Sequence, residues 1–202
     1  MRFLWTLSVV PRPDASFLGL MGVTLASFLL FQDVPVAVFG RDLTALQLAL
    51  SVFFFTSIAR NLILNSSMWR RTTGKIGGLV AMLMVPVAVL WITSVAAPAT
   101  LQIAFSAYML AYAAVVLAMV KWDGDNLHML PSVWARDPRF APQTVTLVAV
   151  GDAVFAVTLA AIALHGSELA WIGVMTLGAI ATKLFVNWIN VLMVIVLLED
   201  DD

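Results

Sequence analysis

Thr100–Val120 reads TLQIAFSAYMLAYAAVVLAMV, a stretch without one charged side chain. As an α-helix it covers ~30 Å at ~1.5 Å per residue, the thickness of the hydrocarbon layer of a bilayer. The rest of the chain agrees with it. Of 202 residues, 62% are hydrophobic and 11% charged, and the mean hydropathy is +0.99. A soluble domain is about 45–50% apolar and about 25% charged. A chain this short would have to cover such a core with polar surface that it does not possess. Lipid removes that requirement.

Working outward from Thr100–Val120, five more apolar runs of spanning length appear: residues 16–39, 43–64, 76–97, 143–164 and 169–198. Asp33 and Pro35 are candidates to end the first of them early, and the last is longer than a bilayer needs. The runs do not alternate polar with apolar residues, which argues against a closed β-barrel. The expected fold class is therefore all-α: a polytopic integral membrane protein, a six-transmembrane-helix bundle, forming a single domain over residues 1–202.

Basic residues set the expected orientation. Arg2 and Arg12 precede the first run, Arg70, Arg71 and Lys75 follow the second, and Lys121, Arg136 and Arg139 follow the fourth. The alternate connections together hold only Arg41. Lys and Arg stay on the cytoplasmic side, so both termini are expected inside a cytoplasmic (inner) membrane. Phe3–Val10 reads as a short interfacial segment closed by Pro11 and Pro13, since a signal peptide needs a longer apolar region and a small-residue cleavage site.

Two connections have some size. Asn65–Lys75 is short and basic. Residues 121–142, KWDGDNLHMLPSVWARDPRFAP, mix Trp122, Trp134 and Phe140 with charges, as expected of chain lying among lipid headgroups on the cytoplasmic side. Asp123, Asp125 and Asn126 superficially resemble a calcium loop, but the glycine and distal glutamate at the required offsets are missing. Ala97–Ala99 leaves room only for a tight antiparallel turn between the third and fourth runs. Pro86 is expected to kink the third.

Charges inside hydrocarbon cost from about 2.5 to more than 10 kcal/mol each, so each such residue requires a reason. Arg60 lies ~25 Å along its helix from the outer end, close to the cytoplasmic headgroups, where it can snorkel, and Asn61 beside it helps to end the apolar run. These two are secondary candidates. Asp152 and Lys183 are not so placed. Counted from the cytoplasmic ends of their helices, they lie ~14 Å and ~16 Å deep. The short connection His165–Glu168 makes the two helices neighbours, so each charge can relieve the burial cost of the other. Thr176, Lys183, Asn187 and Asn190 recur at intervals of seven, four and three, which places them on one stripe of a helix. Such a stripe belongs against another helix or a wet cavity. Gly151 permits close helix approach next to Asp152. Tyr108, Tyr112 and Ser106 form no narrow stripe and read as packing.

Several functions are excluded or disfavoured. Without cysteine there is no thiolate chemistry, no disulfide and no cysteine metal site. His128 and His165 are the only histidines and lie outside or at the ends of the runs, which disfavours haem ligation within the bundle. A lysine in the last helix invites a retinal Schiff base, but a seventh helix is lacking. No nucleophile elbow, zinc-binding helix or phosphate loop appears, so no catalytic or metal-binding residue is assigned, and enzymatic activity is the less favoured reading. Two readings stay open. In the first, Asp152, Lys183, Asn187, Asn190 and Thr176 line a path for an ion, a proton or a small polar solute. In the second, the charges are a structural pair in a non-catalytic subunit, scaffold or assembly factor of a larger membrane complex. Six helices are few for a transporter, so a homo-oligomer or partner membrane subunits are expected, with bound lipid, no other cofactor and no nucleic acid.

Overall fold

A computed structural model of the protein describes residues 13–34, 36–38, 40–64, 87–122 and 140–199, and not the side chains at 61–64, 122 and 197–199. The expected interfacial segment Phe3–Val10, the connection Asn65–Lys75, the first half of the third run with Pro86, and nearly all of the connection 121–142 lie outside the described residues. What is described is mostly helical. Three helices are long and apolar enough to cross a membrane: Pro98–Lys121, Ala141–His165 and Glu168–Val196. Ala15–Leu30 and Ala45–Arg60 are shorter apolar helices. The packing divides the chain into two compact units.

One unit comprises residues 14–102 and 168–176. It opens with α1, Ala15–Leu30, which starts where it does because the Asp14 carboxylate accepts the Phe17 amide at 2.8 Å. The helix does not run on to residue 39, as the apolar pattern predicts. It ends at Leu30, and the chain turns through a small antiparallel hairpin, β1 (Val36–Val38) and β2 (Arg41–Leu43), with Val36 opposite Leu43 and Val38 opposite Arg41. Asp33 and Pro35 break the helix, and the valines favour extended backbone. Gly40, at φ 73°, supplies the left-handed residue that reverses the chain. Among the described residues, the departure from an all-α reading is confined to these two strands.

Thr44 then caps α2, Ala45–Leu64, through a reciprocal box: the Gln47 amide donates to Thr44 Oγ1 and the Thr44 amide to Gln47 Oε1 at 2.8 Å. α2 packs along α1, burying Leu20, Met21 and Phe28 of one helix and Leu46, Ala49 and Leu50 of the other. Residues 87–95 are helical (α3) and are tied to α2 by polar contacts. Gln47 Nε2 donates to the Ala96 carbonyl at 2.9 Å, and the Ser51 and Thr93 hydroxyls meet at 2.6 Å. In an apolar setting, such bonds are costly to lose. The short helix α4, Glu168–Gly173, packs on α1 with Trp171 and Ile172 fully buried.

The other unit takes its described residues from 103–122, 140–167 and 177–199. Its helices are the body of α5 (Pro98–Trp122), all of α6 (Ala141–His165) and α7 (Ala179–Glu199). Between α4 and α7 the helix runs through a π turn, Val174–Gly178. Val116 of α5 packs with Ala141, Val145 and Ala149 of α6. Small side chains at this contact let helices approach without a hydrophobic driving force between them, as packing within lipid requires. The outward faces are aliphatic: Val154, Val157, Leu164 and Val196 are all more than half exposed. Water does not tolerate faces of that extent on a monomer.

Candidate functional site

α6 and α7 approach closely at Gly151. A Cβ built there would lie 2.7 Å from Val186 Cγ2 and 3.9 Å from Thr182 Cγ2. Farther along the pair, Ile189 and Met193 lie alongside residues 142–150, so the helices run antiparallel. This register sets Asp152 level with Lys183, and Lys183 is near enough for its charge to act on the Asp152 carboxyl. Both side chains are partly buried. The sequence pairing of these two residues is thus matched by proximity.

A third titratable group joins them. Tyr112 of α5, read from sequence as packing, is near enough to Asp152 for the carboxylate to act on the phenol, and Tyr108 acts on it too. Two other helices therefore bring an ionisable group to Asp152, Lys183 from α7 and Tyr112 from α5. Tyr112 carries no signal of this in its own sequence neighbourhood. Its relation to Asp152 depends on how α5 packs, which periodicity does not report.

Asn187 and Asn190 continue the Lys183 face of α7 toward its C-terminal end. Asn187 is partly buried, whereas Asn190 is fully buried, and neither the amide oxygen nor the amide nitrogen of Asn190 has a hydrogen-bond partner. On α6, Thr144 is also fully buried with an unpartnered hydroxyl. Four other threonines of the described helices bond differently. Thr24, Thr146, Thr158 and Thr176 each return their hydroxyl to the carbonyl four residues back, at 2.7–2.9 Å. Asn190 lies ~10 Å along α7 from Lys183, and Thr144 ~12 Å along α6 from Asp152 in the same direction, so the two are at similar depth. Thr144 was not distinguishable in the sequence, because threonine in an apolar helix ordinarily bonds back.

The remaining sequence candidates fall elsewhere. Thr176 packs with the other unit, inside the π turn, where its hydroxyl donates to the Ile172 carbonyl at 2.7 Å. The π turn breaks the 3.6-residue period on which the longer stripe was counted. Arg60 is an anchor of a specific kind: its Nη2 donates to Asp14 Oδ2 at 2.9 Å and its Nε to Ser16 Oγ at 2.6 Å, while Ser16 Oγ donates to Asp14 Oδ1. This clasp joins the start of α1 to the far end of α2. The Asn61 side chain lies outside the described residues. Among the described residues, no cluster of side chains is arranged to hold a metal ion. A groove of about 550 Å³ follows α6 and α7 on a different face from Asp152, lined by Leu147, Val150, Ile189 and Met193 with Gln143 and Thr146.

Compared with known proteins, the chain matches no family model, no curated protein and no solved structure.

Proposed function

We propose that the protein is a six-helix integral membrane protein, with both termini on the cytoplasmic side, that passes an ion, a proton or a small polar solute along a path near Asp152 and Lys183. One observation carries the reading. A carboxylate and an ammonium interact at the crossing of two apolar helices, and the same helix face leads on to a fully buried asparagine with no partner for its amide. Purely structural polar groups in such helices are normally satisfied. Ionisable groups at membrane depth mark ion and proton routes more often than they mark packing. The lysine face supplies Lys183, Asn187 and Asn190, and Asp152 supplies the opposing charge. The groove beside Met193 is apolar enough to take an acyl chain of the surrounding lipid. The other three spans of the proposed bundle are the two shorter apolar helices and residues 76–97.

The test is flux into proteoliposomes holding the wild type or Lys183→Met, read with potassium, sodium, chloride and pH indicators. Methionine keeps the length of the side chain and removes its charge. Loss of flux in a folded variant supports the path. Absence of flux from both proteins, with Lys183→Met less stable, would make Asp152 and Lys183 a structural pair. A non-catalytic subunit or assembly factor would then be the better reading.

A further inference from the structure

Asn190 and Thr144 differ from every other threonine, serine or asparagine of α6 and α7 for which a bond is described. Each is fully buried and each has a polar atom without a partner. A protein seldom leaves a buried amide and a buried hydroxyl unmatched unless water or a ligand matches them. They lie at one depth, on two helices that pack together, and on the same side of the Asp152–Lys183 level.

We infer that the species handled by this site is a proton, exchanged between Asp152 and water held at Asn190 and Thr144. The inference rests on the path proposed above and names what the path carries. The charges decide the class. An alkali cation reaching the Asp152 level meets the Lys183 ammonium, and a chloride meets the Asp152 carboxylate, so an ion of either fixed sign faces a like charge at short range in a medium of low dielectric. A neutral solute would need hydrogen-bonding groups but no ionisable ones, which are the expensive part of this site. A proton uses what is present. Among the described residues, the ionisable groups that interact with Asp152 are Lys183 from α7 and Tyr112 from α5, and Tyr108 acts in turn on Tyr112. The step is an O–H bond formed at an Asp152 carboxylate oxygen as an O–H bond breaks in the nearest water of a hydrogen-bonded file reaching the ~10 Å from Asn190 and Thr144, each water giving up one proton as it accepts the next, so that no cation has to travel past Lys183. No electron is transferred. Asn190, with one acceptor and two donor hydrogens, and Thr144, with both capacities in its hydroxyl, suit a water that must accept and donate in turn.

The experiment uses the full-length protein in proteoliposomes with an entrapped pH indicator and a potassium diffusion potential. Proton flux is expected to persist when sodium and chloride are replaced by large impermeant ions. It should fall at least tenfold in Asp152→Asn and in Asn190→Leu, and be retained within a few-fold in Asp152→Glu, which keeps an acid in place. Flux of potassium, sodium or chloride that depends on Asp152, without proton flux, would overturn the proton inference and leave the path standing. No flux of any species would overturn both. If Asp152→Asn does not fold, infrared difference spectra across a pH step decide the point. The wild type is expected to show a carboxylic acid C=O band that moves in Asp152→Glu, and a band identical in the two proteins overturns the inference.

Discussion

Replacing Gly151 with alanine tests the helix crossing on which the site depends. The new methyl would lie 2.7 Å from Val186 Cγ2. Carbon atoms pack at roughly 3.5–4.0 Å, so the helices must part by ~1 Å or Val186 must turn. Val186 is 7% exposed and β-branched, and its χ1 in a helix is nearly fixed, so it yields poorly. Overpacking of this kind costs about 1–3 kcal/mol. Alanine in place of glycine returns about 0.5–1 kcal/mol of helix propensity. The net expectation is a loss of up to about 2.5 kcal/mol in unfolding by denaturing detergent, followed by circular dichroism. In a Val186→Ala background the clash is gone, and Gly151→Ala should stabilise by the propensity term alone. Gly22→Ala, where an added Cβ meets nothing within 4 Å, should do the same. A coupling energy between Gly151→Ala and Val186→Ala below about 0.5 kcal/mol would refute the close crossing, and with it the register that levels Asp152 with Lys183.

Three other outcomes follow from the structure. Asn190→Leu should unfold no more easily than the wild type and up to about 2 kcal/mol less easily, because it removes a buried amide without a protein partner; a loss above about 1 kcal/mol would show that the amide is bonded within the protein. Asp14→Ala removes a helix cap and the partner of Arg60, and should cost about 1–2 kcal/mol. Arg60→Met should cost less, since it spares the cap, and combining the two should add little to Asp14→Ala alone. Thr44→Val breaks the capping box with Gln47 and should lower stability by about 1 kcal/mol, measured by the same unfolding assay.

Length and composition made the long helices legible. Thr100–Val120 sits inside Pro98–Trp122, and residues 143–164 sit inside Ala141–His165, because uninterrupted apolar sequence leaves a helix as the way to satisfy the backbone. The hairpin at Val36–Leu43 was hidden because valines look alike to a hydropathy window whether coiled or extended. Asp33 and Pro35 marked the break, but only local backbone geometry tells a loop from two strands. At the site, Asp152 and Lys183 stood out because charge is conspicuous in apolar sequence. Tyr112 and Thr144 did not, since their importance lies in what packs against them. Thr176 sits in a π turn that no residue in Val174–Gly178 announces, so the helical period does not carry unbroken from it to Lys183.

The Arg60–Asp14 clasp has a meaning for the order in which the chain is made. Its two partners are 46 residues apart, and Arg60 is synthesised only after α1, the strand pair and nearly all of α2. While α1 is still the last helix made, Arg60 does not yet exist to close the clasp on Asp14. Once α2 is complete, the strand pair fastens the two helices at one end and the clasp fastens them at the other. The α1–α2 pair thus carries its own sign of completion, built from no later part of the chain, and a chain arrested short of residue 60 lacks it.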